Sequence, residues 1–238
     1  MNETGSARFA GRFLDPSLFA RTYRDPLAWL SLATDLVPIA AILVFTWGPT
    51  PLVALYWLEN LIIGAYTILR LGGAAVVSFI NLATALFMIP FFTFHYGMFC
   101  YGHGLFIRSF AGGEGNGGGA APMDLVTWAL GSGDGMLWFV GLIIVTNAVF
   151  FLVDYIGRGE FRRTDPPAEM FAPYGRIVTL HVAIILGAFI AIATDQRLLG
   201  VLILIAIRVI FGIVLSLLRR MKLDGGLGKL AGKFAQPV

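Results

Sequence analysis

Charged residues are scarce in this sequence of 238 residues. Only 13% of the residues are Asp, Glu, Lys or Arg, whereas 58% are hydrophobic, and about a quarter of an average soluble protein is charged. This balance excludes an ordinary soluble domain and indicates an integral membrane protein. The net charge of +3 does not imply binding to nucleic acid, because cationic residues of a membrane chain mainly set its orientation.

Cysteine and histidine are also rare. Cys100 is the one cysteine of the chain, so an intrachain disulfide is excluded. The first 26 residues carry four arginines and no apolar core, so no cleavable signal peptide is expected. Two of the three histidines, His95 and His103, lie in the uncharged aromatic run FFTFHYGMFCYGHGLFI at 91–107, and the third is His181.

Six apolar stretches of about 20 residues, the length that crosses a bilayer, predict an all-α bundle of six transmembrane helices. They lie at 27–47, 51–70, 75–95 or beyond, 136–156, 174–194 and 198–218. We expect an N-terminal segment at 1–26, a transmembrane domain at 27–218 with a flexible glycine-rich outer loop at 108–133, and a basic tail at 219–238. Asp25-Pro26 and Thr50-Pro51 predict the starts of the first two spans, and Asp-Pro pairs at 15–16 and 165–166 predict the starts of short interfacial helices.

The positive charges predict the orientation of the chain. Fourteen of the 17 Lys and Arg residues fall on the side that holds both termini, and such residues favour the cytoplasm. We therefore expect both termini to be cytoplasmic, in the inner or plasma membrane of a cell, with membrane lipids as partners. The oligomeric state stays open, a homo-oligomer included.

The third apolar run presents a problem of length. Residues 74–107 would form a helix of about 51 Å, which exceeds a hydrocarbon core of about 30 Å. The helix must protrude, tilt or break, and Pro90 and Gly97 are the candidate break points.

Three charged residues lie near the middle of predicted spans: Asp35, Glu59 and Arg208. Charged groups at this depth are unfavourable unless they are paired, and they often mark a functional site. We expect an ion pair of Arg208 with Asp35 or Glu59. The carboxylate left over could serve proton transfer or metal binding.

The histidines and Glu59 suggest a metal site. Imidazole and carboxylate groups are ordinary ligands of zinc and non-haem iron, and we consider His95, His181, Glu59 and His103 as the ligands. A haem held by two histidines is a less favoured variant. We expect His95 to turn into the bundle toward Glu59 or His181, with His103 nearer the outer surface. Asn60 adjoins Glu59, and Arg176 could bind a lipid phosphate at the cytoplasmic rim.

Three functions therefore stay open. The first is a metal site that acts on a lipid-like or hydrophobic substrate, which the sequence does not identify. The second is a transporter of a small solute, ion or proton that uses Asp35, Glu59, His181 and Arg208. The third is a membrane scaffold whose polar residues make structural contacts.

Three motifs carry a resemblance to a family: YWLEN at 56–60, FFTFHYGMFCYGHGLF at 91–106 and RRTDPPAEMFAPYGRIVTLH at 162–181. Together they resemble an uncharacterised prokaryotic membrane-protein family, domain of unknown function 6498. The resemblance implies no activity, substrate or cofactor. It implies that the following residues occupy family positions: Glu59, Asn60, His95, His103, Pro173, Tyr174, Arg176 and His181.

Overall fold

A computed structural model of the chain describes residues 16–111, 120–175, 177–178, 182 and 197–223. The regular structure of these residues is entirely helical, so the predicted all-α class is confirmed. Four of the described helices are long and apolar enough to cross a membrane: Pro26–Phe45, Pro49–Ala75, Phe79–Ser109 and Met136–Gly157.

The helices are numbered in chain order. They are α1 (Pro16–Thr22), α2 (Pro26–Phe45), α3 (Pro49–Ala75), α4 (Phe79–Phe110), α5 (Pro122–Leu130), α6 (Met136–Phe150), α7 (166–175) and α8 (Arg197–Leu223). A π-helical turn, Phe151–Gly157, continues α6, and a 3-10 turn, Glu160–Arg162, follows it. Helix α8 covers the predicted sixth span, whereas most of the predicted fifth span and the glycine-rich stretch 112–119 lie outside the described residues.

Proline begins several helices, as the Asp-Pro pairs predict. Helices α1 and α2 start at Pro16 and Pro26, and α7 starts at residue 166. Proline suits this position because its backbone angle is already helical and its missing N–H would have no partner in the helix. At α2 the Asp25 carboxylate accepts a hydrogen bond from the Leu27 backbone N–H at 3.1 Å, which caps the helix.

Helix α4 is continuous over 32 residues, with Pro90 inside it. The break considered at Pro90 or Gly97 is therefore absent. A proline inside a helix removes one hydrogen bond, and membrane helices accommodate that loss where neighbouring groups satisfy the freed carbonyl. At 1.5 Å per residue α4 is about 48 Å long, so its ends extend past a core of about 30 Å or the helix tilts.

Two compact units divide the chain, Met1–Leu36 with Ala206–Val238 and Val37–Ile205. In the first unit, Leu18 of α1 packs against Leu217 and Met221 of α8. An ion pair joins Arg219 to Asp25, with Nη2 and Oδ2 at 3.0 Å. These contacts attach α1 and the start of α2 to the end of α8.

In the second unit, α3 and α4 are joined by two reciprocal hydrogen bonds. The indole N–H of Trp57 on α3 donates to the Cys100 carbonyl on α4 at 2.8 Å. The Tyr96 hydroxyl on α4 donates to the Asn60 carbonyl on α3 at 2.9 Å. Because the order of the contacts reverses along the two helices, α3 and α4 are antiparallel.

Each of these two rings lies over a glycine of the opposite helix. A Cβ added at Gly104 would approach the Trp57 ring to 2.7 Å, and one added at Gly64 would approach the Tyr96 ring to 2.6 Å. Real Cβ atoms are not found that close to other atoms, so both positions require glycine for the helices to approach this closely. We call Trp57, Gly104, Tyr96 and Gly64 the α3–α4 clamp.

We predict that Gly104→Ala destabilises the protein by about 1–3 kcal/mol, because the added methyl group overlaps the Trp57 ring. Thermal unfolding in detergent measures the change. Gly97→Ala is the matched control on the same helix, because an added Cβ there meets no atom within 4 Å. Equal effects of the two substitutions would contradict the clamp.

Candidate functional site

His95 lies at the middle of α4, and its side chain is exposed. Its Nδ1 atom is 2.7 Å from the hydroxyl oxygen of Tyr174 on α7. Of the two expected directions of His95, the one toward His181 stays a prediction, because His181 lies outside the described residues, and the one toward Glu59 is not observed. The reason is the phase of the helix, because Tyr96 faces α3 and residue 95 lies about 100° away around the axis.

A row of stacked rings leads along α4 to His95. The rings of Phe87 and Phe91 are 5.9 Å apart with planes at 14°, and those of Phe91 and His95 are 5.5 Å apart with planes at 8°. Each of these residues is four positions from the next, the spacing that places side chains on adjacent turns. We call Phe87, Phe91 and His95 the ring row.

The same spacing of four continues to the second histidine. The ring of Phe99 meets that of His103 edge to face at 6.3 Å. A series at this spacing winds by about 40° per step, and exposure falls from 71% at Phe87 to 8% at His103. The two histidines thus belong to one winding series, with His95 exposed and His103 buried.

The second ring nitrogen of His95 is Nε2. Nε2 makes no hydrogen bond to any residue that the structure describes. If the Tyr174 hydroxyl donates to Nδ1, Nε2 carries the proton; if Nδ1 donates, Nε2 has a free lone pair. In both tautomers, Tyr174 orients the imidazole and leaves Nε2 for another molecule.

The other predicted residues are distributed differently. Glu59 and Asn60 are buried on α3, with exposures of 4% and 5%. Within the described parts of the chain, no three His, Cys, Asp or Glu residues form a group that could hold a metal. Glu59, His95 and His103 therefore do not form a metal site by themselves. His181 and Arg176 lie outside the described residues, so the full set of four ligands stays a prediction.

An arginine cluster positions α7, which carries Tyr174. The Arg70 guanidinium at the end of α3 contacts Glu169 of α7 through Nε and Glu160 through Nη2, the latter at 3.1 Å. It also lies 4.6 Å from the centre of the Tyr155 ring, and the Tyr155 hydroxyl donates to the Arg70 carbonyl. The cluster joins α7 to α3 and to the π-helical turn.

The sequence does not reveal this cluster. In the sequence, Arg70 is one of the fourteen cationic residues that predict the orientation of the chain. The available signal was the presence of Glu160 and Glu169 in a segment otherwise rich in arginine. It does not determine which arginine the acids bind, because the candidates include Arg158, which instead pairs with Asp154 at 2.6 Å.

The first unit contains one of the two ion pairs expected for Arg208, the pair with Asp35. Nη2 of Arg208 is 3.4 Å from Oδ1 of Asp35. The Asp35 carboxylate occupies the space beside Gly212, one turn after Arg208 on α8, where an added Cβ would overlap it. Burial and the nearby Asp35 carboxylate both raise the pKa of Tyr23, which lies between α1 and α2.

Comparison with known families identifies one whose sequence pattern matches residues 17–225, described as a family of unknown function (DUF6498). The chain belongs to this family. The match includes every residue named in the His95 site, in the Arg70 cluster and in the Asp35–Arg208 pair. No curated protein and no solved structure matches the chain.

We predict that Asp35 and Arg208 are energetically coupled. Asp35→Asn and Arg208→Gln should each lower the stability by about 1–3 kcal/mol, less than the loss of a fully buried pair because Arg208 is partly exposed. The double variant should lose less than the sum of the two. Unfolding of all four proteins in detergent measures the coupling, and strictly additive losses would contradict it.

Proposed function

We propose that the protein binds a lipid-like or hydrophobic substrate from within the membrane at a site centred on His95. We also propose that it crosses the inner membrane of a prokaryotic cell six times, with both termini in the cytoplasm. The observation that carries the substrate site is the 2.7 Å contact of Nδ1 with Tyr174, which orients the imidazole while Nε2 bonds none of the residues that the structure describes.

The depth of His95 supports a substrate taken from the lipid phase. Helix α4 runs from Phe79 to Phe110, so His95 lies at its midpoint. A helix about 48 Å long that fully crosses a core of about 30 Å has its midpoint within the hydrocarbon, because it can shift along the membrane normal by at most about 9 Å. An exposed imidazole at that depth meets lipid chains rather than water.

An imidazole held in one orientation at this depth favours a functional role over a structural one. Polar groups in hydrocarbon are unfavourable without hydrogen bonds, and membrane histidines usually face the bundle interior, a cavity or a functional site. His95 has one nitrogen bonded and the other open within the described residues. A substrate with one polar atom would complete its hydrogen bonding.

A metal site is the second candidate, and the same contact favours it. Metal-bound histidines usually bond their other ring nitrogen to an oxygen, which fixes the ring, as Tyr174 would do for His95. Zinc or iron on Nε2 would need further ligands, and His181, Glu59 and His103 are those proposed. Elemental analysis of the gently purified protein, of His95→Ala and of His181→Ala tests this candidate, because a metal held by both residues would be lost in both variants.

Transport is a third candidate, for which the Asp35–Arg208 pair is the relevant observation. An ion pair on membrane helices can exchange a proton or a charged solute. Proton uptake by protein in vesicles, compared with Asp35→Asn, tests it.

For the orientation, we predict opposite labelling of two cysteines introduced at Asn116 and Asp165. In a Cys100→Ala background, an impermeant thiol reagent added outside intact cells should label position 116 alone, and position 165 should react only after the cells are opened. The positive-inside rule gives this result, because the arginines surround residue 165. Labelling of both positions from one side would refute the topology.

For the site, we predict that His95 is reached from the lipid phase. A lipid with a nitroxide in the middle of its chain should broaden the imidazole ¹⁵N signals of His95 in nanodiscs, whereas a water-soluble gadolinium chelate should not. His95→Gln assigns the signals among the three histidines. Broadening by the chelate instead would place His95 in water and overturn the proposed site.

Tyr174→Phe adds a second readout in the same experiment. The substitution removes the hydroxyl bonded to Nδ1, so the Nδ1 signal of His95 should move while its broadening by the lipid nitroxide persists. Tyr101→Phe is the matched control, because the Tyr101 hydroxyl is also on α4 but bonds the Ala120 carbonyl.

A further inference from the structure

The ring row is a stack of nearly parallel aromatic rings on the exposed side of α4. The planes of Phe87, Phe91 and His95 differ by only 14° and 8° between neighbours. Phe87 is 71% exposed and Phe91 is 44% exposed. Parallel aromatic rings and Nε2 of His95, which bonds no described residue, thus lie in one row.

We infer that the ring row binds a lipid whose headgroup is a planar ring carrying oxygen, the chemistry shared by quinones and phenols. The inference rests on the proposed function, in which Nε2 of His95 faces a hydrophobic substrate. It concerns the first candidate there, in which Nε2 binds the substrate directly and not through a metal. It adds the class of substrate that the proposed function leaves undefined.

The stacked rings favour a planar headgroup over a flexible chain. Aromatic rings prefer offset-stacked or edge-to-face contacts with other rings, and such pairs stabilise a complex beyond the area they bury. A saturated acyl chain gains no such preference from Phe87 and Phe91, because any apolar side chain would serve it equally well.

The open nitrogen favours an oxygen on that ring. In hydrocarbon, Nε2 of His95 needs a hydrogen-bond partner, since no water replaces one. A quinone carbonyl accepts a bond from protonated Nε2, and a phenol hydroxyl donates to the Nε2 lone pair. The Tyr174 hydroxyl can act as donor or acceptor toward Nδ1, so it is compatible with both forms of the lipid.

The residue sizes argue against a second copy of the chain on this face. Helices that associate in membranes approach through small residues such as Gly, Ala and Ser. The face around His95 instead carries large exposed rings, with Phe94 at 73% and Phe171 at 62% exposure in addition to the ring row. Such rings hold a second helix away and leave room for a small planar molecule.

The experiment compares three probes that share a ten-carbon chain. Decyl-benzoquinone has a planar ring and oxygens, decyl-cyclohexanedione has the oxygens on a saturated, non-planar ring, and decylbenzene has a planar ring without oxygens. Each is titrated into the full chain in phosphatidylcholine nanodiscs, and the imidazole ¹⁵N signals of His95 are followed. We expect a saturable shift with decyl-benzoquinone and at least about tenfold weaker responses with the other two.

Variants on α4 separate the ring row from general hydrophobicity. Phe91→Leu removes the ring beside His95 and should weaken binding of decyl-benzoquinone by about three- to tenfold. Phe94→Leu is the control, because Phe94 on the same helix is more exposed than Phe91 but makes no ring contact with any described residue. It should change the affinity by less than about twofold.

The outcomes distinguish this inference from the proposed function. Equal saturable shifts with decyl-benzoquinone and decyl-cyclohexanedione would overturn the planar ring while keeping a hydrophobic substrate at His95. No saturable shift with any probe, although the lipid nitroxide broadens His95, would overturn the ring lipid alone. No shift together with a dimeric mass and protection from the nitroxide would overturn both, and would assign this face to a second copy.

Discussion

The packing of α3 against α4 through the α3–α4 clamp is the constraint on which the candidate site depends. Trp57 and Tyr96 each cross the interface to a backbone carbonyl of the opposite helix, and each ring covers a glycine there. Two contacts of opposite direction fix both the separation of the helices and their rotation. Rotation matters most, because it decides which residues of α4 are exposed.

The position of His95 follows from that rotation. Since Tyr96 faces α3, the preceding residue points about 100° away, and His103, seven residues later, returns to within about 20° of the Tyr96 direction. This explains why one histidine is exposed and the other buried although both lie in one aromatic run. The Arg70 cluster acts independently on the partner of His95, because Glu169 holds α7 and α7 presents Tyr174.

Ion pairs also connect the helices within each unit. Asp35 meets Arg208, Asp25 meets Arg219, and Arg70 meets two glutamates. Such pairs specify which helices associate, because an alternative packing would separate opposite charges in a medium of low dielectric constant. The apolar surfaces leave many arrangements open, and the polar residues select among them.

Much of the helical architecture was readable in the sequence alone. Composition and the length of the apolar runs determine an all-α membrane chain, and Pro16 and Pro26 mark helix starts, because these properties depend on local chemistry. The sequence also restricted the partners of Arg208 to two carboxylates. It could not show whether α4 breaks at Pro90, since a proline is tolerated or not according to its neighbours.

What only the tertiary structure decided is the direction of each side chain around its helix. In the sequence, His95 and His103 can be grouped as one site because they share an aromatic run. In the structure they point in different directions around α4, so one is exposed and the other is buried. The contacts of Arg70 with Glu160 and Glu169 join residues 90 and 99 positions apart, beyond any local pattern. Sequence spacing therefore defines the set of polar groups, whereas the packing of α3, α4 and α7 decides which of them meet.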